Sequence, residues 1–131
     1  IACNNTLYII PKEKQLDTLK EFYRILKPGG KIVITNPVRG AKPLKIYFEG
    51  LKKNFKKYGF LQTFKTAISV IFPTIQMLYY NSKIKKESEK GGYCFLELEE
   101  QQELLKKSGF RNVSQVKFVY ANQSILNYGF K

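Results

Sequence analysis

The stretch FYRILKPGGKIVITNP at residues 22–37 decides the fold that this sequence predicts. It begins inside a segment, about 13–27, whose apolar side chains recur at helical spacing, as in an amphipathic helix. The turn KPGG ends this helix, because glycine accepts a positive φ and proline cannot continue the hydrogen-bond ladder. The β-branched run at 31–35 then predicts a strand that is apolar and covered on both faces.

The residues that precede this stretch extend the pattern. Residues 1–4 predict a short buried strand, followed by turn-forming residues and by Pro11, which is tolerated where a helix begins. Strand, helix and strand in this order predict a βαβ unit, in which the two strands run parallel and the crossover is right-handed. The predicted fold class is therefore α/β.

The end of the chain predicts a second group of elements. Residues 98–108 predict a helix that is ended by glycine and has Leu98 among its inward-facing leucines. Residues 113–120 and 124–130 predict two strands, which the short connection ANQ joins into an antiparallel hairpin.

The middle of the chain, residues 38–92, differs in composition from both ends. It holds twelve Lys and Arg against three acidic residues, which is most of the positive charge of the chain. Two helices are predicted over about 43–58 and 60–81, the second bent or broken near Pro73, with a polar loop over 82–92. Polar residues interrupt the apolar part of this segment, so the sequence does not favour a transmembrane helix.

The composition excludes several kinds of site. The 131 residues carry 23 Lys and Arg against 10 Asp and Glu, a net charge of +13 that favours an anionic partner without naming it. Because there is no histidine, a Ser-His-Asp triad, an imidazole base and a histidine-based metal site are excluded within this chain. Cys3 and Cys94 are too few for a metal cluster or a disulfide scaffold, and we expect them to be reduced thiols of a cytoplasmic protein.

Three segments at the start of the chain carry a resemblance to a known family. Residues 1–11 (IACNNTLYIIP), 22–31 (FYRILKPGGK) and 32–37 (IVITNP) together resemble class I S-adenosylmethionine-dependent methyltransferases, and more narrowly the methyltransferase type 11 branch. In that family a fourth strand ends in a polar turn, and an LKPGG turn leads from the next helix into the fifth strand. The segment 98–110 and the final hairpin resemble the family's last helix and its sixth and seventh strands.

The resemblance implies the C-terminal half of a Rossmann-like methyltransferase fold, with strand order 4-5-7-6 and an antiparallel last strand. Residues 1–37 and 93–131 would form this half, and 38–92 would be a helical insert where the family builds its substrate lid. The sequence lacks the family's first three strands and the glycine-rich loop that approaches the cofactor. Since the chain opens directly on the apolar run at Ile1, we expect it to be a fragment of a longer enzyme and inactive alone.

The same resemblance implies S-adenosylmethionine as the cofactor. Ligands of open α/β sheets bind beyond the carboxyl ends of the strands. Cys3, Asn4 and Asn5 would line the methionine part of the cofactor, with a backbone carbonyl near Cys3 accepting a hydrogen bond from its ammonium group. Leu7 and Tyr8 would face the transferable methyl group or the substrate. The alternative is that Asn4 and Asn5 only form a turn.

Two residues that follow the second strand, Asn36 and Arg39, are candidates for binding the substrate, since they reach the same sheet edge. The alternative is that they form a strand-ending turn and a solvated charge. No catalytic residue and no metal is predicted. Methyl transfer from a sulfonium has a good leaving group and depends on how donor and acceptor are positioned.

Aromatic side chains alternate with lysines throughout the insert. They could form an apolar substrate pocket with a basic mouth, a helix lying on an anionic membrane, or a nucleic-acid contact made by lysines and stacked rings. They could equally be core aromatics beneath a lysine-rich surface. Arg39 is the only arginine of 38–92, which makes nucleic acid the less favoured partner.

The function that the sequence predicts is methyl transfer from S-adenosylmethionine to a small-molecule substrate. The alternative is a non-catalytic basic module that binds nucleic acid or an anionic membrane. A third hypothesis is a non-catalytic half that pairs with another chain, or forms a homodimer, through the exposed edge of its first strand.

Overall fold

The computed structural model describes all 131 residues and divides them into two compact units. The sheet unit comprises Ile1–Ala41 and Gly91–Lys131, and the helical unit comprises Lys42–Lys90. The elements follow along the chain in this order: β1 (Ala2–Asn4), a 3-10 turn (Leu7–Ile9), α1 (Lys12–Ile25), β2 (Lys31–Pro37), α2 (Pro43–Ser69), α3 (Ile71–Glu89), α4 (Glu100–Lys107), β3 (Lys117–Val119) and β4 (Ser124–Phe130).

The four strands form one mixed sheet in the order β1-β2-β4-β3. Strand β1 runs parallel to β2, with Cys3 opposite Ile34, and this confirms the βαβ unit. Strand β4 runs antiparallel to β2 over seven residue pairs, from Lys31 opposite Phe130 to Pro37 opposite Ser124. Strand β3 pairs antiparallel with β4, which confirms the hairpin.

The KPGG turn connects α1 to β2 as its residue types require. Gly29 has φ 72, a conformation that glycine adopts without steric cost. A Cβ on Gly30 would lie 2.7 Å from Leu26 Cγ and 2.8 Å from the Lys27 carbonyl oxygen, so a side chain at this position would collide with the end of the helix. The Gly30 N–H donates to that same carbonyl at 2.9 Å, which closes the turn.

The core of the sheet unit lies where α1 and α4 pack on one face of the sheet. Its fully buried apolar side chains come from every layer of the unit: Leu7, Leu19, Ile32, Ile34 and Leu105. The other face is less well covered, because Val33, which points away from Ile32 and Ile34, is only half-buried. The expectation that this strand is covered on both faces is therefore only partly met.

Two predictions for the C-terminal segment are wrong in detail. Helix α4 begins at Glu100 rather than at residue 98, and Leu98 is 44% exposed instead of facing inward. Strand β3 has three residues rather than the eight predicted over 113–120. The chain leaves the regular ladder at Ser114, whose hydroxyl oxygen accepts a hydrogen bond from the Tyr128 N–H at 3.0 Å.

The helical unit consists of α2 and α3. The boundary predicted at Gly59 appears as a kink within α2, where Gly59 has φ 77. The second break falls at Val70 rather than at Pro73, because Pro73 lies in the first turn of α3, where its missing N–H costs no hydrogen bond. The loop predicted over 82–92 is wrong: α3 continues to Glu89, since lysine and glutamate are good helix formers.

No residue of α2 or α3 is buried. None of the helices in the structure is both long enough and apolar enough to cross a membrane.

Candidate functional site

The candidate site lies where β1 and β2 end side by side. Asn4 is opposite Thr35, whose hydroxyl donates a hydrogen bond to the side-chain oxygen of Asn4. The next residue, Asn5, has φ 50, and its N–H donates to the Thr35 carbonyl oxygen at 2.8 Å. Asparagine tolerates this left-handed conformation better than most residues. The chain therefore turns sharply away from the sheet at Asn4 and Asn5, which we call the β1 turn, and both side chains are exposed.

Backbone groups of β1 face the open edge of the sheet. The Val33 N–H donates to the Ile1 carbonyl at 2.9 Å, and the Asn5 N–H donates to β2, so the odd-numbered residues of β1 bond to β2. The backbone groups of Ala2 and Asn4 consequently point outward, as on any edge strand. The Asn4 carbonyl accepts one hydrogen bond, from the Thr6 hydroxyl at 3.0 Å, and retains a second lone pair. The carbonyl oxygens of Ala2 and Asn4, on either side of Cys3, are thus the acceptors that this edge offers a ligand.

Tyr8 is held rigidly beside the β1 turn. Its N–H donates to the side-chain oxygen of Asn36 at 3.3 Å, and its carbonyl accepts from the Cys94 N–H at 2.7 Å. Its ring stacks on Tyr93 and on Phe95, with centroid distances of 5.6 and 5.3 Å. Burial, and to a lesser extent the neighbouring Tyr93, raise the pKa of Tyr8. Its hydroxyl is therefore neutral near pH 7, where it can donate a hydrogen bond but does not act as a base.

Asn36 does not reach the surface of this chain, so nothing in the structure supports its prediction as a substrate-binding residue. It is fully buried, and its amide nitrogen donates to the Gln101 side-chain oxygen at 2.7 Å. The Gln101 amide in turn donates to the Asn127 side-chain oxygen at 2.9 Å. A buried amide must find hydrogen-bond partners inside the protein, and both the oxygen and the nitrogen of the Asn36 side chain have theirs in this network. Its role in the site is to position the backbone of Tyr8.

Leu7 also departs from its prediction. Its side chain is fully buried in the core, so it has no surface to present to a methyl group or a substrate. Its carbonyl accepts a hydrogen bond from the buried amide of Gln15 at 3.1 Å, which ties the 3-10 turn to α1. The family resemblance implied that Leu7 faces the ligand, but the side chain of Leu7, the first residue of the 3-10 turn, points into the core.

Cys3 is a small buried residue. Burial raises the pKa of the Cys3 thiol, and the nearby polar side chain of Thr6 offsets part of this rise. The thiol is therefore protonated at neutral pH, which excludes Cys3 as a nucleophile. Both cysteines of the chain are free thiols.

Arg39 lies on the surface beyond the end of β2. Its Nε is 3.8 Å from an Oε1 oxygen of Glu97, and both side chains are about three-quarters exposed. An ion pair with both side chains so exposed and with its charged atoms 3.8 Å apart fixes neither side chain in place. The structure therefore exposes Asn4 and Asn5 at the β1 turn, holds Tyr8 three residues further on against Tyr93 and Phe95, directs Asn36 and Leu7 into the interior, and leaves Arg39 exposed to solvent.

Several residues that shape this site were missed by the sequence analysis. Tyr93 and Phe95 hold the ring of Tyr8, and Gln101 holds Asn36. The signal for Gln101 was present: it lies four residues before Leu105, on the inward face of α4, where a polar side chain needs a partner. No comparable signal in the sequence links residues 93–95 to Tyr8.

The residues present fit one end of an S-adenosylmethionine molecule. The exposed amides of the β1 turn and the outward carbonyls of β1 can bind the amino and carboxylate groups of its methionine part. No glycine-rich loop follows a strand in this chain, since Gly29 and Gly30 follow α1 and Gly91 follows α3. No group of three or more His, Cys, Asp or Glu residues is placed to hold a metal ion.

Comparisons with known proteins give distant likenesses among solved structures alone. No family model matches the sequence, and no curated protein matches it. Among solved structures, a SAM-dependent methyltransferase from Thermotoga maritima, described as a possible histamine N-methyltransferase, is similar at 19% identity with a TM-score of 0.49. The likeness covers 99% of this chain and 54% of that one, so the chain spans about half the length of the matched structure. A likeness at this level is too distant to assign an activity.

Proposed function

We propose that the chain takes part in methyl transfer from S-adenosylmethionine to a small-molecule acceptor, and that the β1 turn binds the methionine end of the donor. The observation that carries the proposal is the parallel β1–α1–β2 unit with exposed amides directly at the carboxyl end of β1. This is the position at which open α/β sheets bind ligands. The strand order β1-β2-β4-β3, with β4 antiparallel, reads as 4-5-7-6 in the numbering of the methyltransferase fold, which also supports the proposal.

The roles proposed for the residues follow from their surroundings. S-adenosylmethionine, when bound, would supply a methyl group on a sulfonium: an acceptor bonds to the methyl carbon as the carbon–sulfur bond breaks, and the neutral thioether is the leaving group. The amides of Asn4 and Asn5 orient the amino-acid end, and the outward carbonyls of β1 accept from its ammonium group. The ring of Tyr8, held between two other rings, forms a flat apolar wall beside the β1 turn. Arg39 attracts an acidic group of the acceptor, since its guanidinium is exposed and only loosely paired.

None of these roles requires proton transfer by the protein. The Cys3 thiol and the Tyr8 hydroxyl are both neutral at pH 7, because burial raises the pKa of each. The contribution of the chain is then to position the donor relative to the acceptor, and methyl transfer depends on this positioning.

The proposal is tested by titrating the isotope-labelled chain with S-adenosylmethionine and following its backbone amide resonances by NMR. We expect weak binding, with a dissociation constant of about 1 mM or more, because the chain contacts only one end of the donor. The resonances that shift should be those of Asn4, Asn5 and Tyr8. S-methylmethionine, which carries the sulfonium and the amino-acid end, should reproduce these shifts, and adenosine should not.

The matched variants are Asn5→Gly and Asn112→Gly. Both asparagines are exposed and have nearly the same positive φ, 50 and 48, so glycine preserves the backbone at each position. Only Asn5→Gly should weaken the shifts. The absence of shifts at saturating donor would overturn the proposal, and so would equal weakening by both variants. Tight binding by this chain would overturn the assignment of the site to the methionine end.

A further inference from the structure

The helical unit exposes most of the apolar surface of the protein. Sixteen of the twenty-two large apolar side chains that the chain exposes lie between Leu44 and Tyr80, and none of the residues in α2 or α3 is buried. Leu61 and Phe72 are each 76% exposed, and Phe60 is 70% exposed. Apolar surface on this scale and in one continuous segment marks a docking surface for a partner.

The charges of this unit are sorted along the chain. Residues 59–82, which we call the apolar stretch, contain one lysine, Lys65, and no acidic residue. The segment 42–57 before it contains six lysines and one glutamate, and the segment 83–90 after it contains four lysines and two glutamates. The helical unit therefore carries a net charge of +8, almost all of it in two lysine flanks on either side of an apolar stretch.

Tyrosines stand where the apolar stretch meets its flanks. Tyr58 precedes it, and Tyr79 lies near its end, and both are more than half exposed. The Lys57 ammonium lies 4.9 Å from the ring centroid of Tyr58, and the Lys83 ammonium lies 4.7 Å from that of Tyr79. Rings with one polar end favour the boundary between water and hydrocarbon, and lysine stems extend past such a boundary to reach charged headgroups.

We propose that the helical unit docks on an anionic phospholipid surface, with the apolar stretch in the acyl boundary and the lysine flanks on the headgroups. This arrangement combines the two contributions that bind interfacial segments, buried apolar area and attraction to anionic lipids. The inference rests on Lys42–Lys90 alone and is independent of the proposed methyl transfer.

Two other partners fit these observations less well. Nucleic acid requires positive charge along the whole contact, and the apolar stretch offers a single lysine over 24 residues; the unit also contains no arginine. A second copy of the chain would bring two units of charge +8 together, which opposes association. Charge complementarity therefore favours an anionic lipid surface.

The test is co-sedimentation of the full chain with vesicles, since the chain has no tryptophan for fluorescence. The vesicles are phosphatidylcholine alone, or phosphatidylcholine with about one-third phosphatidylserine. We expect binding to the anionic vesicles to be at least about 100-fold tighter than to the neutral ones, and to weaken between low and physiological salt as screening increases.

Two pairs of matched variants separate the contributions. Replacing Lys52, Lys53 and Lys56 by glutamine should weaken binding by about 100-fold, at about fivefold for each lysine. The control replaces three exposed lysines of the sheet unit, removing equal charge elsewhere, and should change binding less than about threefold. The lysines of this control are Lys14, Lys27 and Lys106.

The second pair of variants tests the apolar stretch. The double variant Leu61→Gln with Phe72→Gln removes two of its apolar side chains, and the double variant Ile25→Gln with Phe118→Gln in the sheet unit is the control. All four side chains are at least half exposed, so these changes should leave the circular dichroism spectrum of the free protein unchanged. We expect the first double variant to weaken vesicle binding by at least about tenfold and the control double variant to leave it unchanged.

Four results would overturn the proposal. The first is an absence of binding to anionic vesicles at low salt. The second is equal loss in the variants of the two units. The third is a dimer in sedimentation velocity without lipid that Leu61→Gln with Phe72→Gln converts to a monomer, because the apolar stretch would then be an interface between copies. Binding of duplex DNA as tight as that of vesicles, with no effect of the apolar pair, would likewise assign the lysines to nucleic acid.

Discussion

Replacing Gln101 by methionine removes the amide that joins two buried asparagines and keeps a side chain of similar length. In the native protein Gln101 accepts from Asn36 at 2.7 Å and donates to Asn127 at 2.9 Å, and all three residues are fully buried. The substitution leaves the Asn36 amide nitrogen and the Asn127 side-chain oxygen without partners. The other amide atoms of these asparagines keep theirs, the Tyr8 N–H and the Ser114 carbonyl oxygen.

The expected loss of stability follows from these two atoms. A buried polar group that loses its partner costs about 1–3 kcal/mol, and the added apolar burial of methionine offsets about 1 kcal/mol. With two such atoms, we therefore expect Gln101→Met to lower the free energy of unfolding by about 1–5 kcal/mol, against the 5–15 kcal/mol typical of a domain. The unfolding midpoint in urea, followed by far-ultraviolet circular dichroism, measures this change.

Two controls separate the buried network from the loss of any glutamine. Gln115 is exposed, and Gln115→Met should change stability by less than about 0.5 kcal/mol. Gln102 donates one hydrogen bond, at 3.2 Å, to the Ser114 carbonyl, which Asn127 also binds, so Gln102→Met should cost about 1 kcal/mol. If Gln101→Met costs no more than Gln115→Met, the amides of Asn36 and Asn127 do not depend on Gln101 and the reasoning fails.

Three further predictions concern the sheet unit. Leu105→Ala should lower the free energy of unfolding by about 2–5 kcal/mol in the same urea experiment, because it opens a cavity in the core. Glu100 accepts a hydrogen bond from the Lys12 ammonium, with an Oε1–Nζ distance of 2.8 Å, and this contact lowers the pKa of the Glu100 carboxyl. A lowered folded-state pKa contributes stability above the unfolded-state pKa of about 4.3 that is lost as pH falls through the folded value. Unfolding midpoints measured across this acid range should therefore fall less for Glu100→Gln than for the native protein. Towards a thiol reagent, half-buried Cys94 should react within the native state and buried Cys3 only as fast as the protein unfolds, which timed mass spectrometry distinguishes; equal rates would contradict the burial of Cys3.

The elements that sequence periodicity predicted well are those whose signals are local. Helix α1 carries a clear helical pattern, strand β2 a β-branched one, and strand β4 follows the short connection ANQ; the structure gives bounds within two residues of those predicted for all three. The parallel pairing of β1 with β2 followed from the connection between them. These features depend on neighbours in sequence, so the sequence alone contains the information.

Errors arose where a residue's environment is set by distant parts of the chain. Asn36 follows a strand, which predicts an exposed turn residue, but its amide meets Gln101 from 65 residues away. Leu98 was predicted to lie inside α4, but the helix begins only at Glu100. The Glu100 carboxylate accepts hydrogen bonds from the Lys12 ammonium and from the Glu97 N–H, and Leu98 lies before this helix start. Polarity or hydrophobicity alone does not reveal such partners, because burial of a polar group depends on whether another element supplies its hydrogen bonds.

The loop predicted over 82–92 failed for a different reason. Its high charge suggested a solvated connection, but Lys and Glu have high helix propensity, and Lys90 and Glu87 even form an i,i+3 pair at 3.7 Å. A charged segment without proline or glycine favours a solvent-exposed helix as readily as a loop. In the predicted loop only the last two residues, Gly91 and Gly92, are glycines, and they lie just beyond the end of α3 at Glu89.

The buried amide network and the exposed β1 turn divide the candidate site into two layers. The back layer, Asn36 with Gln101, sets where the Tyr8 backbone lies and cannot change without leaving buried groups unpaired. The front layer consists of exposed side chains, of which Asn5 can be lost at little cost to the fold, whereas the Asn4 side-chain oxygen also accepts a hydrogen bond from the buried Thr35 and so belongs to both layers. Substitution of Asn5 should therefore alter ligand binding at nearly constant stability, while substitutions behind should alter stability first. A site that serves only as a turn would show no such separation, because its exposed amides would affect neither property.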